Sequence, residues 1–269
     1  MPPRFRRQPF PPRGPIRMQE DHAVAKGSAE RVLHVLATLA RLGRGATIAE
    51  LMDLTGLAQS TLYRQLSLLR RWGFVIGRDN EFSPGPMCVP LAWGFDQSSF
   101  LTLESHERME ALSNLSGESI GLLMAVKHQI VCLDMVESRH PLRCSFVKGR
   151  MLPLCKGASA KALLAFMHVE RRRAVLDQLQ RDQLLDDAAR ADLEHQLERI
   201  RIQGYAVTNG EVDAGVWGAS APLFQHDGHA AVAVITLMAP SLRAQGQEER
   251  FIEMIVRGAA HISSRLQSL

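Results

Sequence analysis

The chain has 269 residues, of which 46% are hydrophobic and 22% charged, with a formal net charge of +4. This composition suits a globular protein with room for two domains and excludes a disordered chain. No apolar run approaches the ~20 residues needed to span a bilayer. The first residues carry arginine and proline but no apolar signal core, so a cytoplasmic protein without a membrane partner is expected. Cys88, Cys132, Cys144 and Cys155 form no CxxC pair and read as reduced thiols, with no metal site.

Positive charge is unevenly spread. Residues 1–83 hold 13 Lys/Arg against 7 Asp/Glu, whereas residues 84–269 hold 19 against 21. The first third is therefore the part suited to phosphate. Residues 1–25 are Arg- and Pro-rich without periodicity and read as a disordered tail, either inert or a basic arm for DNA.

From Ser28, read as a cap, the run SAERVLHVLATLARLG predicts a helix with Val32, Val35, Leu36 and Leu39 inward, closed by Gly43 and Gly45. The stretch TIAELMDLTGLAQSTLYRQLSLLRRWGF then organises everything around it. Thr47 and Glu50 have capping-box spacing, and Gly56 supplies the turn between two short helices. In the second of these, Leu62, Leu66 and Leu69 form a buried stripe. Gln59, Ser60, Thr61, Tyr63, Arg64 and Gln65, with Arg70 and Arg71, are read as its polar side. Such a helix can sit in a major groove and reach base edges and phosphates. A helical hairpin with a solvated face is the alternative for this pair alone. Two short strands around Asp79-Asn80 follow, with Arg78 near the tip, which makes a winged helix-turn-helix over residues 26–85.

Met87, Val89, Leu91, Trp93 and Phe95 crowd residues 86–100, too many large apolar groups for a solvated linker. This segment is expected to be a linker helix packed on a second copy of the chain. The second domain, residues 101–269, reads as a helix at 101–115, strands at 119–126, 130–136 and 142–147, and helices at 158–167, 170–180 and 188–203. Strands at 205–208, 217–224 and 231–238 and a closing helix at 247–266 complete it. His226 and His229 flank Asp227-Gly228, read as a hairpin turn. Grouped strands with segregated helices imply an α+β domain with a mostly antiparallel sheet.

Catalytic patterns are missing. Ser159 and Lys161 have Ser-x-Lys spacing, unlike the Ser-x-x-Lys of lactamase-like sites, and no G-x-S-x-G elbow occurs. The histidines are scattered, and nucleotide-binding glycine patterns are lacking. Neither catalysis nor a cofactor is expected.

In this order the pieces resemble the IclR family of bacterial transcriptional regulators, over residues 28–266. Three blocks carry the likeness: GLAQSTLYRQLSLLRRWGFV, LPLCKGASAKALLAF and GYAVTNGEVDAGVWGASAPLF. The resemblance implies a winged helix-turn-helix, a linker helix and a GAF/PAS-like effector-binding domain. It also implies dimers or dimers of dimers on a pseudo-palindromic operator, repressing or activating under control of a small organic acid. Gln59, Ser60, Thr61, Tyr63 and Arg64 fall on the family's DNA-contacting positions. Ala158 and Ser159 match positions whose backbone amides can hold a carboxylate. Thr208, Gly218, Thr236 and Met238 match pocket positions that carry Asp, Cys and Ser in well-known members. Loss of that carboxylate points to a larger, more apolar effector such as an aromatic acid, with Trp217 and Met151 as pocket walls. Core packing is the competing role for Trp217 and Met238. A second hypothesis keeps the distal domain as a sensor or enzyme and reduces the N-terminal domain to an assembly module.

Overall fold

The computed structural model describes residues 27–268, except Asp79 and residues 227–229. The tail, the Asp79 half of the wing tip and the Asp227–His229 part of the expected turn therefore lie outside the described residues.

Helix α1 (Ser28–Leu42) begins one residue earlier than a Ser28 cap requires: Gly27 is the N-cap, and no side chain closes it. Gly43 ends it in the left-handed conformation. A two-residue strand β1 (Ala46–Thr47) leads into α2 (Ile48–Thr55), and α3 (Gln59–Arg71) follows. The wing is β2 (Val75–Arg78) and β3 (Glu81–Pro84), antiparallel, and β1 adds a third strand to it through β3. That third strand was not expected from sequence. Val35, Leu39, Leu51, Leu62, Leu66, Leu69, Val75 and Phe82 share one core. Gly85 then lets the chain turn tightly: a Cβ there would lie 2.3 Å from the Gly73 carbonyl oxygen.

The linker is α4 (Cys88–Ser98), and α5 (Phe100–Ser116) follows directly, its first turn capped by the Ser99 hydroxyl. Val89, Leu91 and Phe95 on α4 are exposed; the side chain of Trp93 lies outside those described. Strands β4 (Ser119–Val126) and β5 (Gln129–Val136) form a hairpin, and the edge strand is β6 (Met151–Pro153). The strand expected at 142–147 is not there. The edge of β5 is instead taken by β6 and by irregular backbone just before it, where Gly149 N–H donates to the Cys132 carbonyl at 2.8 Å. The displaced segment is held by Arg243, which donates to the Leu142 carbonyl at 2.8 Å.

Helices α6 (Ala158–Ala165), α7 (Val169–Arg181) and α8 (Asp187–Gln203) come next. Strands β7 (Ala206–Asn209), β8 (Val216–Leu223) and β9 (Ala233–Pro240), a short α9 (Ser241–Ala244) and α10 (Glu248–Gln267) finish the chain. The six strands run in the order β6-β5-β4-β9-β8-β7, every neighbouring pair antiparallel. One face packs on α6 to α8 through Leu123, Ile130, Leu163, Leu164 and Val234. The other packs on α5 and α10 through Ile120, Leu122, Ile235, Leu237, Phe251 and Ile255. Because strand side chains alternate between faces, parity decides which residues can meet at a site.

Candidate nucleic-acid interface and ligand site

The Thr47 hydroxyl accepts from Glu50 N–H at 3.3 Å, so half of the expected capping box forms. The Glu50 carboxylate does not return the favour. It pairs with Arg44, one contact at 3.0 Å and a second shorter, and this holds its carboxyl below the usual range. Gly56 turns the chain at φ +64°, and α3 leaves the turn with Leu62, Leu66 and Leu69 seated in the core. Gln59, Ser60, Tyr63, Arg64, Arg70 and Arg71 are exposed, Tyr63 by 47%, and Thr61 is half-buried. Among the described residues Arg64, Arg70 and Arg71 have no ion-pair partner, so their charge is available outside. Arg78 is exposed next to the wing tip.

Gln65 departs from expectation. It is 1% exposed, and among the described residues its amide nitrogen has no hydrogen-bond partner. Positions 62, 65, 66 and 69 are spaced i, i+3, i+4 and i+7, which is the core stripe of a helix. Its polar character suggested the outer face; its spacing put it on the inner one.

In the second domain, α6 lies over the strands with all eight of its residues buried. Gly157, its N-cap, has φ +88°, and a Cβ there would lie 2.6 Å from a Val212 methyl. Glycine is thus needed twice over at that point. The first free amides of the helix are already engaged. Gly157 N–H donates to Glu211 Oε2 at 3.1 Å, and Ala158 N–H donates to Thr208 Oγ1 at 3.0 Å. The Lys161 ammonium, its side chain only 8% exposed, pairs with the other oxygen of Glu211.

At the second residue of α6, Ser159 Oγ and Thr236 Oγ1 share a hydrogen bond at 2.9 Å, and Thr236 Oγ1 and Ser220 Oγ share another at 2.7 Å. All three hydroxyls are buried. Register explains the meeting: Ser220 sits opposite Thr236, Gly218 opposite both Thr208 and Met238, and Gly121 opposite Thr236 on the far side. Residues directly opposite share a face, so Thr208, Gly218, Ser220, Thr236 and Met238 all belong to the face under α6. At Gly121, opposite Thr236, the space a side chain would take is filled by Leu123, Met135 and Phe146, each within 3.6 Å of where a Cβ would lie.

Two expected pocket walls are not there. Trp217 is adjacent to Gly218 and so points to the opposite face, where it packs 5.9 Å from the Phe251 ring and is 4% exposed. Met151 lies on the edge strand opposite Val131, which packs on the α5/α10 side. Both belong to structure away from α6. Sequence reading missed Glu211, Lys161 as its partner, Ser220, Met135 and Phe146. Ser220 could have been found from its even spacing to Gly218. Glu211 could not, since it meets Gly157 from 54 positions away.

Among the described residues no cluster of His, Cys, Asp and Glu could hold a metal ion, and no helix is long and apolar enough to cross a membrane.

Residues 28–76 match the model of the IclR helix-turn-helix domain, and residues 98–264 match that of the bacterial transcriptional regulator IclR C-terminal domain. The chain belongs to the IclR family. Its similarity to the HTH-type transcriptional regulator KdgR of Dickeya chrysanthemi is 28% identity, covering 89% of this chain and 80% of that protein. The transcriptional repressor IclR of Escherichia coli (strain K12) is 24% identical over 88% of each. A putative IclR regulator from Silicibacter sp. TM1040 has the same fold, with a TM-score of 0.77 at 23% identity, covering 90% of this chain and 96% of that one. So has an IclR homologue from Microbacterium hydrocarbonoxydans solved with 4-hydroxybenzoate, at a TM-score of 0.70 and 20% identity, covering 90% and 100%. As an IclR-family regulator, the chain joins a DNA-binding helix-turn-helix to a C-terminal ligand-binding domain.

Proposed function

We propose that this IclR-family protein is a cytoplasmic, non-enzymatic regulator that binds a pseudo-palindromic operator as a dimer or a dimer of dimers. A small organic acid, aromatic in character, controls it from the site under α6. The observation that carries the DNA half is the outward stripe of α3, in which Gln59, Ser60, Tyr63 and Arg64 are exposed while Leu62, Leu66 and Leu69 anchor the helix. Thr61 contributes from the edge of that stripe, and Arg78 of the wing meets a flanking phosphate. Two copies joined through the exposed Val89, Leu91 and Phe95 of α4 place the two helices in successive major grooves.

Support for an acid effector comes from the site itself, where the buried hydroxyls of Ser159, Ser220 and Thr236 lie beside a helix start whose amides and lysine already hold the chain's own oxygens, Thr208 and the Glu211 carboxylate. Ala158, Ser159, Thr208, Gly218, Thr236 and Met238 line it, with Met135 and Phe146 as the apolar side. The Microbacterium homologue bound to 4-hydroxybenzoate makes that acid the first to try. Effector binding shifts output only through unequal affinity for two states of the dimer. The test is fluorescence anisotropy of DNA from upstream of its own gene, with 4-hydroxybenzoate and related acids added to the complex. At least one acid is expected to change operator affinity severalfold. Unchanged affinity across the series, with specific DNA binding intact, would remove the acid-control half of the reading.

A further inference from the structure

A hollow of about 340 Å³ lies between the start of α1 and the exposed side of α3, lined by Ser28, Arg64, Gln65, Ser67, Leu68 and Arg71. Three features of it suit an oxyanion. Its lining holds two arginines and no carboxylate, and among the described residues neither arginine has an ion-pair partner. Next, α1 begins there with no side chain capping its first turn, so free amides and the positive end of a 15-residue helix are available. The acid of that turn, Glu30, is not part of the lining. The third feature is Gln65, the buried member of the lining, which is 1% exposed and whose amide nitrogen has no hydrogen-bond partner among the described residues. An amide kept from water with nothing to donate to destabilises the fold.

We propose that this hollow is a phosphate seat. One backbone phosphodiester of the bound DNA enters it and accepts from the Gln65 amide, the Arg71 guanidinium and the first N–H groups of α1. The inference rests on the DNA-binding reading of α3 and deepens it by naming the backbone contact that fixes how the helix sits in the groove.

Position along α3 separates this role from base reading. Residues near the start of a recognition helix reach base edges, and here those are Gln59, Ser60, Tyr63 and Arg64. Ser67 and Arg71 follow one and two turns beyond Arg64, both exposed. With 13 residues at ~1.5 Å each, α3 is roughly 20 Å long, against a major groove about 12 Å wide. Its last turns therefore lie beside the sugar-phosphate rim when its first turn meets the bases.

A charged oxygen in the seat forms hydrogen bonds about twice as strong as neutral ones. It also gives the Gln65 amide the partner that the free protein does not supply, so binding recovers part of what burying that amide costs the fold. Glutamine at a core-stripe position then has a use that leucine could not serve.

The experiment is anisotropy titration of the full chain, across a salt series, on two labelled duplexes: the region upstream of its own gene and a random sequence. Wild type is compared with Arg71→Ala, Gln65→Met and the double variant, urea unfolding showing that each is folded; Gln65→Leu replaces a methionine variant that is not. Arg71→Ala is expected to flatten the slope of log affinity against log salt by about one for each copy bound, on both duplexes. Gln65→Met alters no charge, so it is expected to weaken binding about threefold on both duplexes with the slope and the stability not lowered. In the double variant the loss should be smaller than the product of the single losses, because both side chains hold one phosphate. Gln65→Met that binds DNA like wild type, or losses that simply multiply, overturns the proposal. If that variant instead loses only calorimetric binding of inorganic phosphate, the hollow serves a free anion and the DNA contact is refuted. Wild type that binds the random duplex as tightly as the upstream one sinks the gene-control reading alone, since the slope and the Gln65 loss are still read on random DNA. Wild type that binds neither duplex overturns both.

Discussion

Arg64 and Leu66 are two residues apart on α3, yet truncating each should damage different things. Arg64 is exposed and, among the described residues, has no ion-pair partner. Arg64→Ala therefore removes no hydrogen bond or ion pair among the described residues, and alanine is at least as good a helix former. Folding stability should stay within about 0.5 kcal/mol of wild type. Operator affinity should fall by ~1–3 kcal/mol if the guanidinium reads a base, or roughly 5- to 150-fold. Leu66 is 1% exposed in the helix-turn-helix core, so Leu66→Ala should cost ~2–5 kcal/mol of folding free energy. Urea unfolding followed by circular dichroism gives the stabilities. Anisotropy titration of a labelled operator at fixed salt gives the affinities. Should Arg64→Ala destabilise the fold as Leu66→Ala does, or bind operator like wild type, the outward-facing assignment of α3 is refuted.

Other outcomes follow from the packing. Gln65→Met fills the same space without a buried amide that lacks a partner, so it should leave stability equal or raise it by about 1 kcal/mol, with operator affinity changed less than by Arg64→Ala. A melting curve and the same titration check this. Trp217→Ala should cost ~3–5 kcal/mol because it empties a core position against α10, and benzoate affinity measured where the variant is folded should be unchanged. Leu91→Asp combined with Phe95→Asp on the linker helix should raise the dimer dissociation constant in sedimentation and weaken operator binding with it. The Cys132 thiol is pushed up to about 11 by burial and by the neighbouring Asp134 charge, so at pH 8 it stays protonated and should react with a thiol reagent far more slowly than it does after unfolding. The Glu50 carboxyl lies below its ordinary value beside Arg44. Its contribution to stability is thus present above the usual carboxylate range and lost as pH falls through its lowered value. Arg44→Gln should flatten that part of an acid-unfolding curve.

Much of the fold was legible because short-range rules operate there. The α2 turn follows from Thr47 and Gly56, and the α3 seat from the spacing of Leu62, Leu66 and Leu69. The antiparallel sheet follows from grouped strands. Errors arose where residue type was weighed above geometry. Gln65 has a polar side chain at a core-stripe position, and Trp217 is one residue out of phase with the pocket face of β8. The segment at 142–147 alternates like a strand, but the edge of β5 it would pair with is taken by residues 149–153, which come just after it in the chain. Glu211 was invisible for another reason: its role depends on a strap meeting a distant helix start, and no local pattern encodes that meeting. The loss of a carboxylate among Thr208, Gly218, Thr236 and Met238 is legible in the sequence.

The central claim is that two outward-facing α3 helices of a dimer read two half-sites. Hydroxyl-radical footprinting of the full-length protein on DNA upstream of its own gene, in excess random DNA, tests it most directly. The account predicts two protected clusters related by two-fold symmetry, about one helical turn or a small multiple apart. A single unsymmetrical patch, or protection that vanishes with competitor and modest salt, would contradict it.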